Sequence, residues 1–179
     1  MSKRVPLYGV MAEFEQAEEL VAAARRARDA GFTRLDAYTP FPIHDLPAAV
    51  GFERTRLPWL VFFGGLAGGL TGYFMQYYAS AVAYPLNVGG RPPHSWPAFI
   101  PVTFEMTVLF AALTAVLGML ALNGLPQPHH PVFNVPRFAL ASRDRFFLVI
   151  QARDPKFEHG RVRAFLESLR PHEVFDIEQ

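Results

Sequence analysis

The run PAFIPVTFEMTVLFAALTAVLGML, Pro97–Leu120, decides how this chain is organised. It is longer than the ~20 apolar residues a helix needs to cross hydrocarbon, and its one charged residue is Glu105. A second run, WLVFFGGLAGGLTGYFMQYYASAVAY at Trp59–Tyr84, carries no charge at all. PLNVGGRPPHSW, a short turn rich in Pro and Gly, joins the two. Buried helices of a large soluble protein share this composition, but 179 residues are too few to wrap them. The pair is therefore read as a transmembrane hairpin, with spans at 59–84 and 97–122 and a periplasmic turn at 85–96. Trp59 and Trp96 mark span ends, where aromatic belts lie.

The flanks repeat one pattern. Residues 1–45 read as strand (VPLYGVMA), helix (EQAEELVAAARRARDAG) and strand (TRLDAYTPF). Ala17, Leu20, Val21, Ala24 and Ala27 follow the i, i+3, i+4, i+7 spacing of an amphipathic helix, and Gly31 is placed to stop it. Residues 145–179 read as strand (RFFLVIQA), helix (HGRVRAFLESLR) and strand (HEVFDIE), with Val162, Phe165, Leu166 and Leu169 on the apolar face. Strand–helix–strand twice over is the element order of the ferredoxin-like sandwich. Neither half, at 45 and 35 residues, makes an ordinary domain alone, whereas together they do. The expected fold is an α+β membrane protein: a split ferredoxin-like cytoplasmic domain with the two-helix hairpin inserted between its second and third strands. Segments 46–58 and 123–144, rich in Pro and polar residues, are expected to be linkers.

Composition excludes several functions. A net charge of +1 without a basic stripe argues against nucleic acid. The absence of cysteine removes disulfides, iron–sulfur ligation, covalent haem attachment and thiolate zinc sites. MSKRVPLYGVMAEFEQ has no apolar core before a cleavage site, so it is expected to begin a folded cytoplasmic segment rather than a signal peptide. Arg54 and Arg56 before the first span, against Arg91 in the turn, place both termini inside.

Glu105 is the leading candidate for function. A charged side chain at this depth costs roughly 2.5–3.5 kcal/mol on insertion scales, so it is expected to face protein or water. Counted from Pro97 it lies about 12 Å from the helix end. Gln76 is expected at the same level, with Tyr73 and Tyr77 within a turn. Two roles stay open: a carboxyl paired with an amide to lock the two helices, or a proton relay. Gly64, Gly65, Gly68, Gly69 and Gly72 form overlapping GxxxG pairs, and Ala111, Ala115 and Gly118 make a matching small stripe. Such faces let helix backbones approach closely, here between the spans and against a further membrane protein.

Other chemistry finds little support. His129 and His130 are adjacent, and His44, His94, His159 and His172 are scattered. Neither span contains a histidine to ligate haem. The glycine clusters lie inside a span rather than between a strand and a helix, so they make no nucleotide loop. Neither a metal site nor an enzyme active site is expected in this chain.

The stretches YGVMAEFE, GFTRLDAYTPFPIHDL, GGRPPHSWPAFIPVTFEMTVLFAAL and DPKFE, in that order, resemble the D subunit of alternative complex III. That complex is a bacterial quinol:electron acceptor oxidoreductase. The resemblance implies an accessory subunit of the inner membrane with two spans and no redox cofactor of its own. It implies c-type haems and iron–sulfur clusters in neighbouring subunits, and multi-span partner subunits that bind quinol. It assigns catalysis to no residue here, although Glu105 falls in its most distinctive stretch. A membrane-tethered regulatory or ligand-sensing module is the alternative.

Overall fold

The computed structural model describes residues 6–52, 55–87 and 89–179. Val5, with which the first expected strand begins, and Arg54, used for orientation, lie outside them. The chain divides into two compact units, drawn from Met1–Glu53 with Pro128–Gln179 and from Arg54–Gln127.

The first unit is a four-stranded antiparallel sheet of β1 (Leu7–Phe14), β2 (Leu35–Tyr38), β3 (Phe146–Gln151) and β4 (Glu173–Glu178), in the order β2-β3-β1-β4. Helix α1 (Ala17–Asp29) joins β1 to β2, and α5 (His159–Ser168) joins β3 to β4. The start of α1 is fixed by Glu19, whose carboxylate accepts the Gln16 N–H at 3.4 Å. Its end is fixed by Gly31, at φ +88°, a conformation glycine adopts without a Cβ penalty. Leu20, Ala24 and Ala27 are fully buried, as their spacing predicts, and Ala17 and Val21 are partly so.

Both faces of the sheet are covered, so β1 and β3 read as near-continuous apolar runs. Val10, Ala12, Phe14, Leu148 and Ile150 point to a core shared with α1, α5 and a short helix α2 (Leu46–Val50). Met11, Phe147, Val149 and Ile177 point the other way, onto Val132, Val135, Phe138 and Ala141. These last four come from two 3₁₀ turns, Pro131–Asn134 and Pro136–Ser142. Two stretches expected to be plain connections thus carry structure: 46–58 contains α2, and 123–144 supplies one side of a hydrophobic core. Each large side chain buried there contributes about 1.5–3 kcal/mol, enough to hold a Pro-rich segment against the sheet.

The second unit is a helical hairpin of α3 (Leu57–Tyr77), extended by a wide π-helical turn over Tyr78–Ala83, and α4 (Trp96–Leu122). Leu57–Ala83 and Trp96–Leu122 are long and apolar enough to cross a membrane. Their outward side chains, among them Phe63, Leu70, Phe74, Phe104 and Leu113, are exposed.

Candidate functional site

The hairpin interface is built on backbone proximity. A Cβ at Gly68 would lie 2.6 Å from Phe110 Cβ and against the Met106 carbonyl oxygen. One at Gly72 would lie 3.0 Å from Met106 Cβ and 3.2 Å from Thr103 Cα. Gly64 faces Thr114, Gly69 faces Thr107, and a Cβ at Gly65 would meet Ala111 Cβ at an ordinary 3.4 Å. Gly118 packs near Leu57, and Ala115 is half-buried. The five glycines of α3 therefore all turn toward α4.

Polar groups cluster at the turn end of this interface. Gln76 Nε2 donates to the Gly72 carbonyl at 2.9 Å, the Phe99 carbonyl at 3.1 Å and Thr103 Oγ1 at 3.4 Å. The Tyr73 hydroxyl and His94 Nε2 are 2.7 Å apart. The His94 ring also meets Tyr77 edge-on at 5.1 Å, and Phe99 is buried beneath it. Gln76, Tyr73 and Tyr77 are thus brought together, with His94, Phe99 and Thr103 as members the sequence reading did not include.

Glu105 is not among them. It is exposed, and among the described residues none hydrogen-bonds or ion-pairs with its carboxylate. Of the two roles left open, the pairing with Gln76 is not made, for two reasons. The amide is occupied by Phe99 and Thr103, both nearer the connecting turn, and the α3 residue at the depth of Glu105 is Gly72. Moreover, Thr103 faces α3, and a residue two positions on lies about 200° around the helix. Glu105 cannot share that face.

The sheet unit holds a second charged centre that sequence reasoning missed. Glu13 is fully buried on β1, and Arg137 grips it in a two-pronged contact, Nε to Oε2 at 2.7 Å and Nη2 to Oε1 at 2.6 Å. Arg145 lies 3.5 Å from the same carboxylate and 2.6 Å from Glu15. Burial opposes the charge on Glu13, but the Arg137 hydrogen bonds and the nearby cations outweigh it and hold the carboxyl below its ordinary range. Asp154 is likewise buried against its charge, and its carboxylate is held low by the N–H groups of Arg34, Thr33 and Lys156 and the Thr33 hydroxyl. The Glu13 and Asp154 contacts fasten, respectively, the segment after α4 and the entry to β2. They are structural ties.

A family model described as alternative complex III, ActD subunit, matches residues 8–176, which spans both units. The chain belongs to the ActD family. Comparison with curated proteins finds no match. Family membership makes it a membrane subunit of an electron-transport oxidoreductase complex, with the other subunits of alternative complex III as its partners. Within an ActD chain, the α3–α4 seam is the internal packing face of the hairpin, and Glu105 lies on an outward one.

Proposed function

We propose that this chain is a cofactor-free accessory subunit that stabilises alternative complex III and presents Glu105 to a neighbouring subunit for proton transfer. The observation that carries this is the position of Glu105: outside the seam of its own hairpin, with its carboxylate unmet by the described residues. An ionisable side chain at membrane depth faces protein or a water-filled cavity, and an outward face of a two-helix hairpin encloses neither, so another subunit completes its surroundings. Electron flow passes through c-type haems and iron–sulfur clusters of the partners, and quinol binds in their multi-span subunits. The four-stranded unit is a split ferredoxin-like domain. Element order and the β2-β3-β1-β4 arrangement support this, as does the pairing of Tyr38 with Phe147, which sets the end of β2 beside the start of β3. On this reading the hairpin is inserted there, both termini are cytoplasmic, and the membrane is the bacterial inner membrane.

Deleting the subunit tests the accessory role. Haem and iron–sulfur content per remaining complex is expected to hold, while membrane subunits are lost on mild detergent extraction. Loss of a haem or cluster signal in proportion to this chain would overturn it.

One observation favours a ligand-sensing module instead. An apolar cleft of about 450 Å³ opens between β2 and α2, lined by Leu35, Ile43, Leu46, Val50 and Phe52. A ligand there would raise the stability of the sheet unit by mass action, which thermal titration with small apolar metabolites reads directly.

A further inference from the structure

The two outward faces of the hairpin differ in a way that assigns them different neighbours. On α3, the side away from the seam carries Trp59, Phe63, Leu66, Leu70 and Phe74, all bulky, uncharged and exposed. On α4, the side away from the seam carries Ala98, Pro101, Glu105, Leu109, Ala112, Val116 and Met119, also exposed. At 3.6 residues per turn, these seven all lie within about 40° of the direction opposite Thr114, which faces Gly64. Ala98 and Pro101, on the N-terminal side of Glu105, leave room for a second helix to come close beside the charge. The α3 face carries no ionisable group.

We propose that the back of α4 docks against a transmembrane helix of another subunit, that this helix brings a Lys or His side chain to Glu105, and that α3 faces lipid. The inference rests on the reading that Glu105 is completed by another subunit, and it names the chemistry of that partner. Lipid on this face would leave the carboxylate in hydrocarbon. A second copy related by a two-fold axis along the membrane normal would set Glu105 against Glu105. A base neutralises the site in both arrangements of one proton: carboxylate with protonated base, or carboxylic acid with neutral base. The proton moves from the base nitrogen to a Glu105 oxygen and back, with no net charge created. Arginine does not meet this requirement, because it stays protonated.

The test is photo-crosslinking in the intact complex in native membranes. Benzoylphenylalanine replaces Ala112 or Val116 on the back of α4, and Leu66 or Leu70 on the back of α3. Two positions per face guard against one bulky replacement blocking assembly. The α4 positions are expected to capture one other subunit several-fold more than the α3 positions. The crosslinked helix is expected to carry Lys or His within a turn of the depth of Glu105. Capture of a second copy of this chain overturns the proposal, as does capture chiefly from α3, no protein capture from α4, or a captured helix without Lys or His at that depth. Crosslinking reads contact and not turnover, so its failure is distinct from failure of proton transfer itself.

Discussion

Thr103 and Glu105 stand two residues apart on α4 and look in opposite directions. The Thr103 hydroxyl lies 3.4 Å from Gln76 Nε2 across the hairpin seam, whereas Glu105 is exposed on the far side. The seam and the acid are therefore separate devices, and substitutions in them are expected to act independently. Gln76→Leu removes hydrogen bonds to Gly72, Phe99 and Thr103 and is expected to cost about 0.6–1.7 kcal/mol, the range for interhelical bonds in membranes. Combined with Glu105→Gln, the effects on thermal stability of the complex are expected to add within about 0.5 kcal/mol. A larger coupling would mean that the two side chains meet.

The glycines of α3 are not equivalent. Gly68 abuts the backbone of α4 at the Met106 carbonyl, which cannot step aside, whereas the space at Gly65 already accommodates a methyl group. Gly68→Ala is expected to cost about 1–3 kcal/mol of hairpin packing, in the range of overpacked cores, and Gly65→Ala much less. Thermal dissociation of the complex in mild detergent compares the two. Equal effects would contradict the packing described.

Glu13 and Asp154 give the sheet unit an acid-sensitive stability. Both carboxyls are held below their ordinary values of 4.5 and 3.8 in the folded chain. Below those values the unfolded chain binds more protons than the folded one, so stability falls with pH there. The contribution is fully present above about pH 4.5 and is lost as pH drops through the depressed values. Opening of β1 by hydrogen exchange in the complex, corrected for intrinsic exchange, is expected to be flat from neutrality down to that point and to steepen beneath it. Glu13→Gln is expected to lower protection at neutral pH and flatten the acid limb.

Asp154 also provides a stability test in its own right. Its carboxylate accepts the N–H groups of Thr33, Arg34 and Lys156, so Asp154→Ala strips partners from three backbone donors around the entry to β2. The expected cost is about 1–3 kcal/mol, read as faster hydrogen exchange in β2 and the adjoining β3.

Much of this architecture is legible in the sequence, for identifiable reasons. The 3.6-residue spacing of Leu20, Ala24 and Ala27 marks α1, and the apolar run FFLVI marks a strand buried on both faces. The covering segment after α4 is harder to see. Its buried residues, Val132, Val135, Phe138 and Ala141, recur every third position, the period of a 3₁₀ turn, and neither the strand nor the α-helix template detects it. Glu13 is in phase with Met11 on β1, so alternation alone marks it as inward-facing, but its partner Arg137 lies 124 residues away. The facing of Glu105 was legible too. Thr103, Thr107 and Thr114 form a polar stripe at helical spacing that marks the seam, and Glu105 is off it.

The proposed role of Glu105 is tested most directly by quinol oxidation in the intact complex carrying Glu105→Gln or Glu105→Asp, with subunit and cofactor content checked on the same samples. The account predicts full assembly of both variants, a several-fold loss of turnover for Gln, and substantial retention for Asp, which keeps an ionisable carboxyl. Wild-type turnover in a fully assembled Glu105→Gln complex would contradict it and leave Glu105 a contact of assembly alone.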